Sequence, residues 1–142
     1  MKRVTLFCDG SSLGNPGYGG WAAILRYGEV EKELSGGEAD ATNNQMELLA
    51  VIKGLEALRE PCEVELYSDS SYVVKGINEW LKNWVAKSFK GVKNPDLWRH
   101  YIEAAAKHKV RANWVRGHNG HSENERCDTL AKEAAMRVRG RE

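Results

Sequence analysis

Alternating hydrophobic and polar positions predict β-strands at the start of the chain. Residues Val4 to Asp9 (VTLFCD) combine β-branched and aromatic side chains and run into a stretch rich in Gly, Ser, Asn and Pro. This predicts a strand followed by a loop. Two further predicted strands, 20–27 and 30–35, are separated by Gly28-Glu29, a connection of hairpin length. The chain therefore opens with a predicted antiparallel meander.

Helical periodicity replaces this alternation from Asn43 to Leu58, where apolar residues recur every three or four positions. The remaining predicted elements are a strand at 63–69, short helices over 70–86, a helix at 94–107, a strand at 110–116 and a last helix from 122 to about 138. Asn94 followed by Pro95 predicts a side-chain cap, and Ser122 with Glu125 predicts a capping box. This order predicts an α/β fold in which a five-stranded mixed sheet, three antiparallel strands and then two in parallel, is flanked by helices.

Length and composition narrow the class of protein. The 142 residues suit a single domain spanning 1–142, and no apolar run is long enough to cross a bilayer. The N-terminus does not have the pattern of a secretory leader, so we expect a cytoplasmic protein. The three cysteines form no CxxC pair and are expected to be free thiols. Because no surplus apolar stripe is visible, we expect a monomer without an obligate protein partner.

The formal net charge of +1 conceals a local excess of positive charge. Residues 80–95 (WLKNWVAKSFKGVKNP) contain four lysines and no acid, which favours an anionic partner. The aromatic residues Trp80, Trp84 and Phe89 alternate with these lysines, as is typical of a nucleic-acid surface. Trp80 and Trp84 also have i, i+4 spacing, so core packing of at least one of them is the alternative.

Acidic residues fall at the ends or beginnings of four predicted elements. Asp9 and Asp69 end strands, Glu47 lies in the first turns of a helix, and Asp128 lies about two turns into the last one. In open α/β sheets, sites form beyond the carboxyl ends of strands, where these acids would converge. Such a cluster would need cations, and oxygen ligands favour Mg²⁺ or Mn²⁺ over zinc. Taken singly, each of these acids more often has an ordinary turn or surface role.

Four stretches occur in order along the chain: DGSSLGNPGYGGWAAIL, TNNQMELLAVIKGLEAL, LYSDSSYVVKGI and WVRGHNGHSENERCDTLA. Together they resemble type I ribonuclease H of the bacterial kind. The resemblance implies hydrolysis of the RNA strand of RNA–DNA hybrids by a two-metal-ion mechanism, giving 5′-phosphate and 3′-hydroxyl ends. It implies two Mg²⁺ ions, with Mn²⁺ as a substitute. The implied metal ligands are Asp9, Glu47, Asp69 and Asp128, with Asp9 bridging both ions, and His118 is implied to assist proton transfer or product release.

The resemblance also implies how the substrate is held. The implied substrate-binding residues are Gly10, Ser11, Asn15, Thr42, Asn43, Asn44, Trp80, Lys82, Trp84, Lys87, Phe89, Lys90 and Asn94. A helix-cap role for Asn43 is equally consistent with the sequence. Two features depart from the family: Asp40 occupies a position where the phosphate pocket commonly has an arginine, and the basic protrusion around Lys87 is shorter.

Three alternatives compete with this interpretation. The first is a hybrid-binding module with weak catalysis, which the four intact acids disfavour. The second is another nuclease of the same fold, of the resolvase or transposase type, which TNNQMELLA and RGHNGH disfavour. The third is a zinc site at His118 and His121, which lacks a third nitrogen or sulfur ligand nearby.

Overall fold

The computed structural model describes residues 1–116 and 121–141. Its elements in chain order are β1 (Lys2–Ser12), β2 (Gly17–Tyr27), β3 (Val30–Ala41), α1 (Asn43–Glu56), β4 (Cys62–Ser68), α2 (Ser71–Lys75), a π-helical turn (Gly76–Trp80), α3 (Leu81–Ala86), α4 (Pro95–Ala105), β5 (Lys109–Trp114) and α5 (Ser122–Gly140).

The sheet formed by the described residues has five strands in the order β3-β2-β1-β4-β5. β1 pairs antiparallel with β2, and β2 with β3, whereas β4 is parallel to both β1 and β5. The predicted mixed sheet is therefore confirmed. β1 pairs antiparallel on one side and parallel on the other. It therefore lies at the boundary between the antiparallel and the parallel part of the sheet.

β1 is longer than the sequence predicts, and Asp9 does not end it. The ladder with β2 continues to Ser12 opposite Gly19, while the ladder with β4 stops at Phe7 opposite Tyr67. Asp9 thus lies two residues beyond the point where β1 and β4 part. The Gly/Ser stretch after it first extends a strand and only then forms a loop, because backbone pairing with β2 outweighs the turn preference of those residues.

Helices cover both faces of the sheet, as alternation along the strands requires. On one face, Leu6 and Cys8 join a core that includes α1 and the fully buried Trp98 of α4. On the other, Phe7 packs with Ile24 and Cys127, where α5 crosses β1 and β2.

Two helix starts differ from their predictions. The capping box is found at α1, where Thr42 Oγ1 accepts from Gln45 and the Gln45 side chain accepts from the Thr42 N–H. The predicted Asn94 side-chain cap is wrong, because this left-handed residue instead bonds to Tyr72 and Gln45. The predicted box at Ser122 is wrong as well, since α5 follows His121 without a side-chain cap.

Glycines allow two helices to reach the strands that carry the acids. A Cβ on Gly10 would lie 2.3 Å from the Glu47 nitrogen, and one on Gly20 would lie 1.9 Å from the Ala131 oxygen. The backbones of α1 and α5 therefore approach β1 and β2 more closely than any side chain would allow. Within the described ranges, 1–116 and 121–141, no helix is both long and apolar enough to span a bilayer.

Candidate active site

Three carboxylates predicted to bind metal meet in one place. Ligand oxygens of Asp9, Glu47 and Asp69 lie within 4.8 Å of one another. Asp9 comes from β1, Glu47 from the second turn of α1, and Asp69 directly follows β4. Residues separated by as many as 60 positions in sequence thus face one small volume because β1 and β4 run parallel and α1 begins beside them.

Asp9 and Glu47 are both buried, at 7% exposure each. They share one donor, since the Gly10 N–H donates to Asp9 Oδ1 at 2.9 Å and also to Glu47 Oε1. This arrangement uses the Gly10 N–H inside the protein. The predicted substrate contact of the Gly10 backbone stays a prediction, and the missing side chain of Gly10 also has a packing role.

Burial raises the pKa of Asp9 to about 7, although the hydrogen bond with Glu47 opposes part of the rise. The charges of Asp69 and Asp128 add to it. Burial also raises the pKa of Glu47 well above its ordinary range, with the hydrogen bond and charge of Asp9 contributing. Two buried carboxylates this close repel each other, so protons or cations must compensate their charge.

Asp69 is exposed and lies beyond the hydrogen-bonded part of β4. Its backbone oxygen accepts from Trp114 Nε1 at 3.1 Å. Trp114 ends β5 and is 53% exposed. Sequence reasoning missed this contact because an aromatic residue in an alternating strand gives no indication of which carbonyl its indole N–H will meet.

Asp128 is not in the group of three but faces the same space. It lines a cavity of about 370 Å³ together with Asp9 and Asp69. Its carboxylate accepts from Lys132 Nζ at 3.0 Å, one turn along α5. The structure thus brings the fourth predicted acid to the edge of the site, already paired with a cation.

The residues present fit a divalent metal. The three clustered groups are all carboxylates, and no histidine or cysteine belongs to the cluster among the described residues. An all-oxygen set suits Mg²⁺ or Mn²⁺ rather than zinc. The raised pKa values of Asp9 and Glu47 are the electrostatic sign of a site that a cation would stabilise.

A second, polar cavity lies at the start of α1. It measures about 330 Å³, and six residues line it: Asn15, Thr42, Asn43, Asn44, Lys93 and Asn94. Five of them were predicted substrate contacts, and Lys93 adds a positive charge. Asn43 does not cap α1; its Oδ1 accepts from Ser12 N–H at 2.7 Å and its own N–H donates to Asn15 Oδ1 at 3.1 Å.

The sequence matches the RNase H family over residues 1–136. A ribonuclease H of Campylobacter jejuni is 59% identical over 138 residues, covering 97% of this chain and 94% of that protein. A ribonuclease HI of Helicobacter pylori is 57% identical over 140 residues, covering 98% of both chains. The crystal structure of LC9-RNase H1, a type 1 RNase H, superposes with a TM-score of 0.88 at 30% identity, covering 94% of this chain and 72% of that one.

The chain belongs to the RNase H family. It is an enzyme of that type, and its sheet order and flanking helices are those of an RNase H fold. The resemblance inferred from the four sequence motifs is confirmed.

In this RNase H family member, the basic segment at residues 80–95 is only partly a free surface. Four lysines are exposed: Lys82, Lys87, Lys90 and Lys93. Trp80 is 37% exposed, whereas Trp84 is partly buried with its ring 5.1 Å from that of Trp98. Phe89 is 8% exposed and lies under the Arg99 guanidinium, which leaves little of its ring accessible, and its contact with a substrate stays a prediction.

The three cysteines and His121 lie within the described residues. Cys8, Cys62 and Cys127 are free, as predicted, and all three are buried. His121 precedes α5 and packs edge-on against Tyr67 with ring centroids 4.6 Å apart. His118 lies outside the described residues, and its role stays a prediction.

The raised pKa of Asp9 predicts the pH dependence of stability without metal. The folded protein holds a proton on Asp9 that the unfolded chain releases near its ordinary pKa of about 4. The free energy of unfolding in EDTA should therefore fall as the pH rises from about 4 toward about 7. Asp9→Asn should remove this part of the fall and be more stable than wild type at neutral pH by roughly a few kcal/mol, because one pKa unit corresponds to about 1.4 kcal/mol.

Urea denaturation at a series of pH values measures this effect. Asp40→Asn, which changes an exposed acid near the end of β3, is the matched control and should keep the wild-type slope. Identical slopes for Asp9→Asn and wild type would mean that Asp9 is not buried with a raised pKa.

Proposed function

We propose that the protein hydrolyses the RNA strand of RNA–DNA hybrids, leaving 5′-phosphate and 3′-hydroxyl ends. The observation that carries the proposal is the cluster of Asp9, Glu47 and Asp69 at the parting of β1 and β4. Membership of the RNase H family supports the substrate class.

The carboxylates would hold the metal ions, with Asp9, Glu47, Asp69 and Asp128 as ligands and Asp9 central to both positions. Two Mg²⁺ ions bound there would supply activation of water and neutralisation of charge at the leaving 3′ oxygen, with Mn²⁺ as a substitute. For this to occur, Asp9 and Glu47 must release the proton that their burial favours. Lys132 must share Asp128 or turn away from it, because Asp128 Oδ2 accepts its hydrogen bond in the absence of ions.

The polar cavity beside α1 would hold the sugar–phosphate backbone of the hybrid. Short amides such as Asn15, Asn43 and Asn44 suit contacts with 2′-hydroxyls and base edges in a shallow minor groove, where RNA is distinguished from DNA. Glu47 follows Asn43 by about one helical turn, so the cavity and the acidic cluster would be neighbours along α1. Thr42 and Asn94 complete the proposed phosphate contacts, with Lys93 as the nearby cation.

The exposed lysines of residues 80–95 would neutralise further phosphates, and Trp80 offers the most accessible ring for packing on a sugar. Ser11, the partly buried Trp84, the buried Phe89 and the backbone of Gly10 are the remaining proposed contacts. His118 is proposed, on the resemblance alone, to assist proton transfer or product release.

The single-domain organisation of residues 1–142, the monomeric state and the cytoplasmic location remain predictions. The buried free thiols are consistent with a reducing compartment. No observation on the described residues favours a resolvase-type nuclease or a module that binds hybrid without cleaving it.

Asp9→Asn should abolish Mg²⁺-dependent cleavage while hybrid binding stays near the wild-type level, because the substitution removes a charge and keeps the shape. Cleavage of a labelled RNA–DNA hybrid, compared with single-stranded and duplex RNA, measures it, with EDTA to remove metal. Asp96→Asn, an exposed acid on α4, is the control and should cleave normally. Wild-type rates in Asp9→Asn would exclude Asp9 from the site, and equal cleavage of all three substrates would contradict the proposed specificity.

Replacing Lys87 and Lys90 together by Ala should raise KM and flatten its salt dependence by up to about one unit of logarithmic slope for each lost phosphate contact. Steady-state kinetics at several salt concentrations measure this. The control is Lys107 and Lys109 replaced together, which makes the same charge change at exposed positions around the start of β5. An unchanged slope in the first double variant would show that this segment does not touch phosphate.

A further inference from the structure

Asn124 is a buried polar residue in the first turn of α5, with 6% exposure. Its Nδ2 donates to the Tyr67 oxygen of β4 at 3.0 Å and lies 3.5 Å from the Cys8 oxygen of β1. The side chain also lines the cavity shared by Asp9, Asp69 and Asp128. Neither the sequence motifs nor the proposed metal ligands assign a role to this amide.

The two carbonyls that Asn124 contacts lie where β1 and β4 part. Phe7 and Tyr67 are the last paired residues of this parallel ladder, and Cys8 is the first residue beyond it. From there β1 remains bonded to β2 alone, while β4 remains bonded to β5 through Ser68. The Asn124 amide therefore bridges the two strands directly after their own hydrogen bonds end.

Each contact is close to an acid of the site. Cys8 directly precedes Asp9, and Tyr67 is two residues before Asp69. Asp128 is four residues after Asn124, on the same face of α5. One side chain thus connects the three backbone segments that present these three carboxylates.

The acceptor end of the same amide is unpaired within the described part of the chain. Asn124 Oδ1 is buried and has no hydrogen-bond partner among residues 1–116 and 121–141. A buried carbonyl without a partner lowers stability. Buried polar groups without hydrogen-bond partners concentrate at functional sites. The role of Asn124 therefore lies in the backbone oxygens that its Nδ2 holds in place.

We propose that Asn124 is a positioning residue that sets the separation of Asp9, Asp69 and Asp128 by clamping the parted ends of β1 and β4 to α5. This inference rests on the proposed function for its catalytic readout. The amide touches neither the polar cavity beside α1 nor the basic segment, so its loss should affect the acids and leave hybrid binding intact.

Asn124→Leu removes the donor, keeps the approximate volume and adds no charge. We expect kcat to fall about 10- to 100-fold, in the range of other groups that orient metal ligands, with KM changed less than about twofold. Calorimetric titration of the substrate-free protein with Mg²⁺ should show affinity reduced by about tenfold or more. The titration reports on the site without requiring cleavage.

Asn113→Leu is the matched control. The Asn113 amide also donates to a β4 carbonyl, that of Leu66 at 3.1 Å, and to Glu65 Oε2 at 2.8 Å, from a half-buried position on β5. It bridges neither β1 nor α5, so kcat and Mg²⁺ affinity should stay within about twofold of wild type even though a similar hydrogen bond is lost. Urea denaturation in EDTA compares the stability of both variants.

Several outcomes would overturn the proposal. One is wild-type kcat and Mg²⁺ affinity in folded Asn124→Leu, and another is an equal loss in Asn113→Leu. If Asn124→Leu does not fold by circular dichroism, Asn124→Ala takes its place, and failure of both would make the residue purely structural. If wild type does not cleave hybrids, the proposed function fails, while the Mg²⁺ titration still decides whether Asn124 positions the acids.

Discussion

Asp9 and Glu47 lie side by side, buried, and bonded to the same Gly10 N–H, so their negative charges cannot coexist there without compensation. Without metal, the compensation is a proton, as the raised pKa values of both groups indicate. With metal, a divalent cation would take its place. The surrounding backbone holds these two carboxylates together in the folded protein despite their repulsion.

That arrangement depends on close backbone contact at two points. The absence of a side chain on Gly10 allows the start of α1 to lie against β1, which places Glu47 beside Asp9. The absence of one on Gly20 allows α5 to lie against β2, which brings Asp128 to the edge of the site. The capping box at Thr42 fixes where α1 begins, and the Trp114 indole holds the backbone of Asp69 beyond the end of β4. The buried acids lower the stability of the folded protein, and the two hydrophobic cores that flank the sheet compensate for this loss.

The order of elements could be predicted from the sequence because alternation and helical periodicity are local properties of the chain. The convergence of Asp9, Glu47 and Asp69 was predicted from their places at element ends and was supported by the family resemblance. The extension of β1 past Asp9 was missed, because pairing of Gly10–Ser12 with β2 is a nonlocal interaction that turn-forming residues obscure. The roles of Trp114 and Asn124 were missed for a similar reason, since the carbonyl that each side chain meets belongs to a distant segment. Asn94 and Ser122 show the converse error, in which good capping residues take other partners once the tertiary structure forms.

The central claim is that Asp9, Glu47 and Asp69 form one site that divalent cations occupy. Anomalous diffraction from crystals grown with Mn²⁺ tests it most directly, because the ion is located without reference to activity. The account predicts an anomalous peak at bonding distance, about 2.2 Å, from carboxylate oxygens of all three residues. The claim would be contradicted if crystals grown in saturating Mn²⁺ gave no peak there and Asp9 remained hydrogen-bonded to Glu47, as in the metal-free protein.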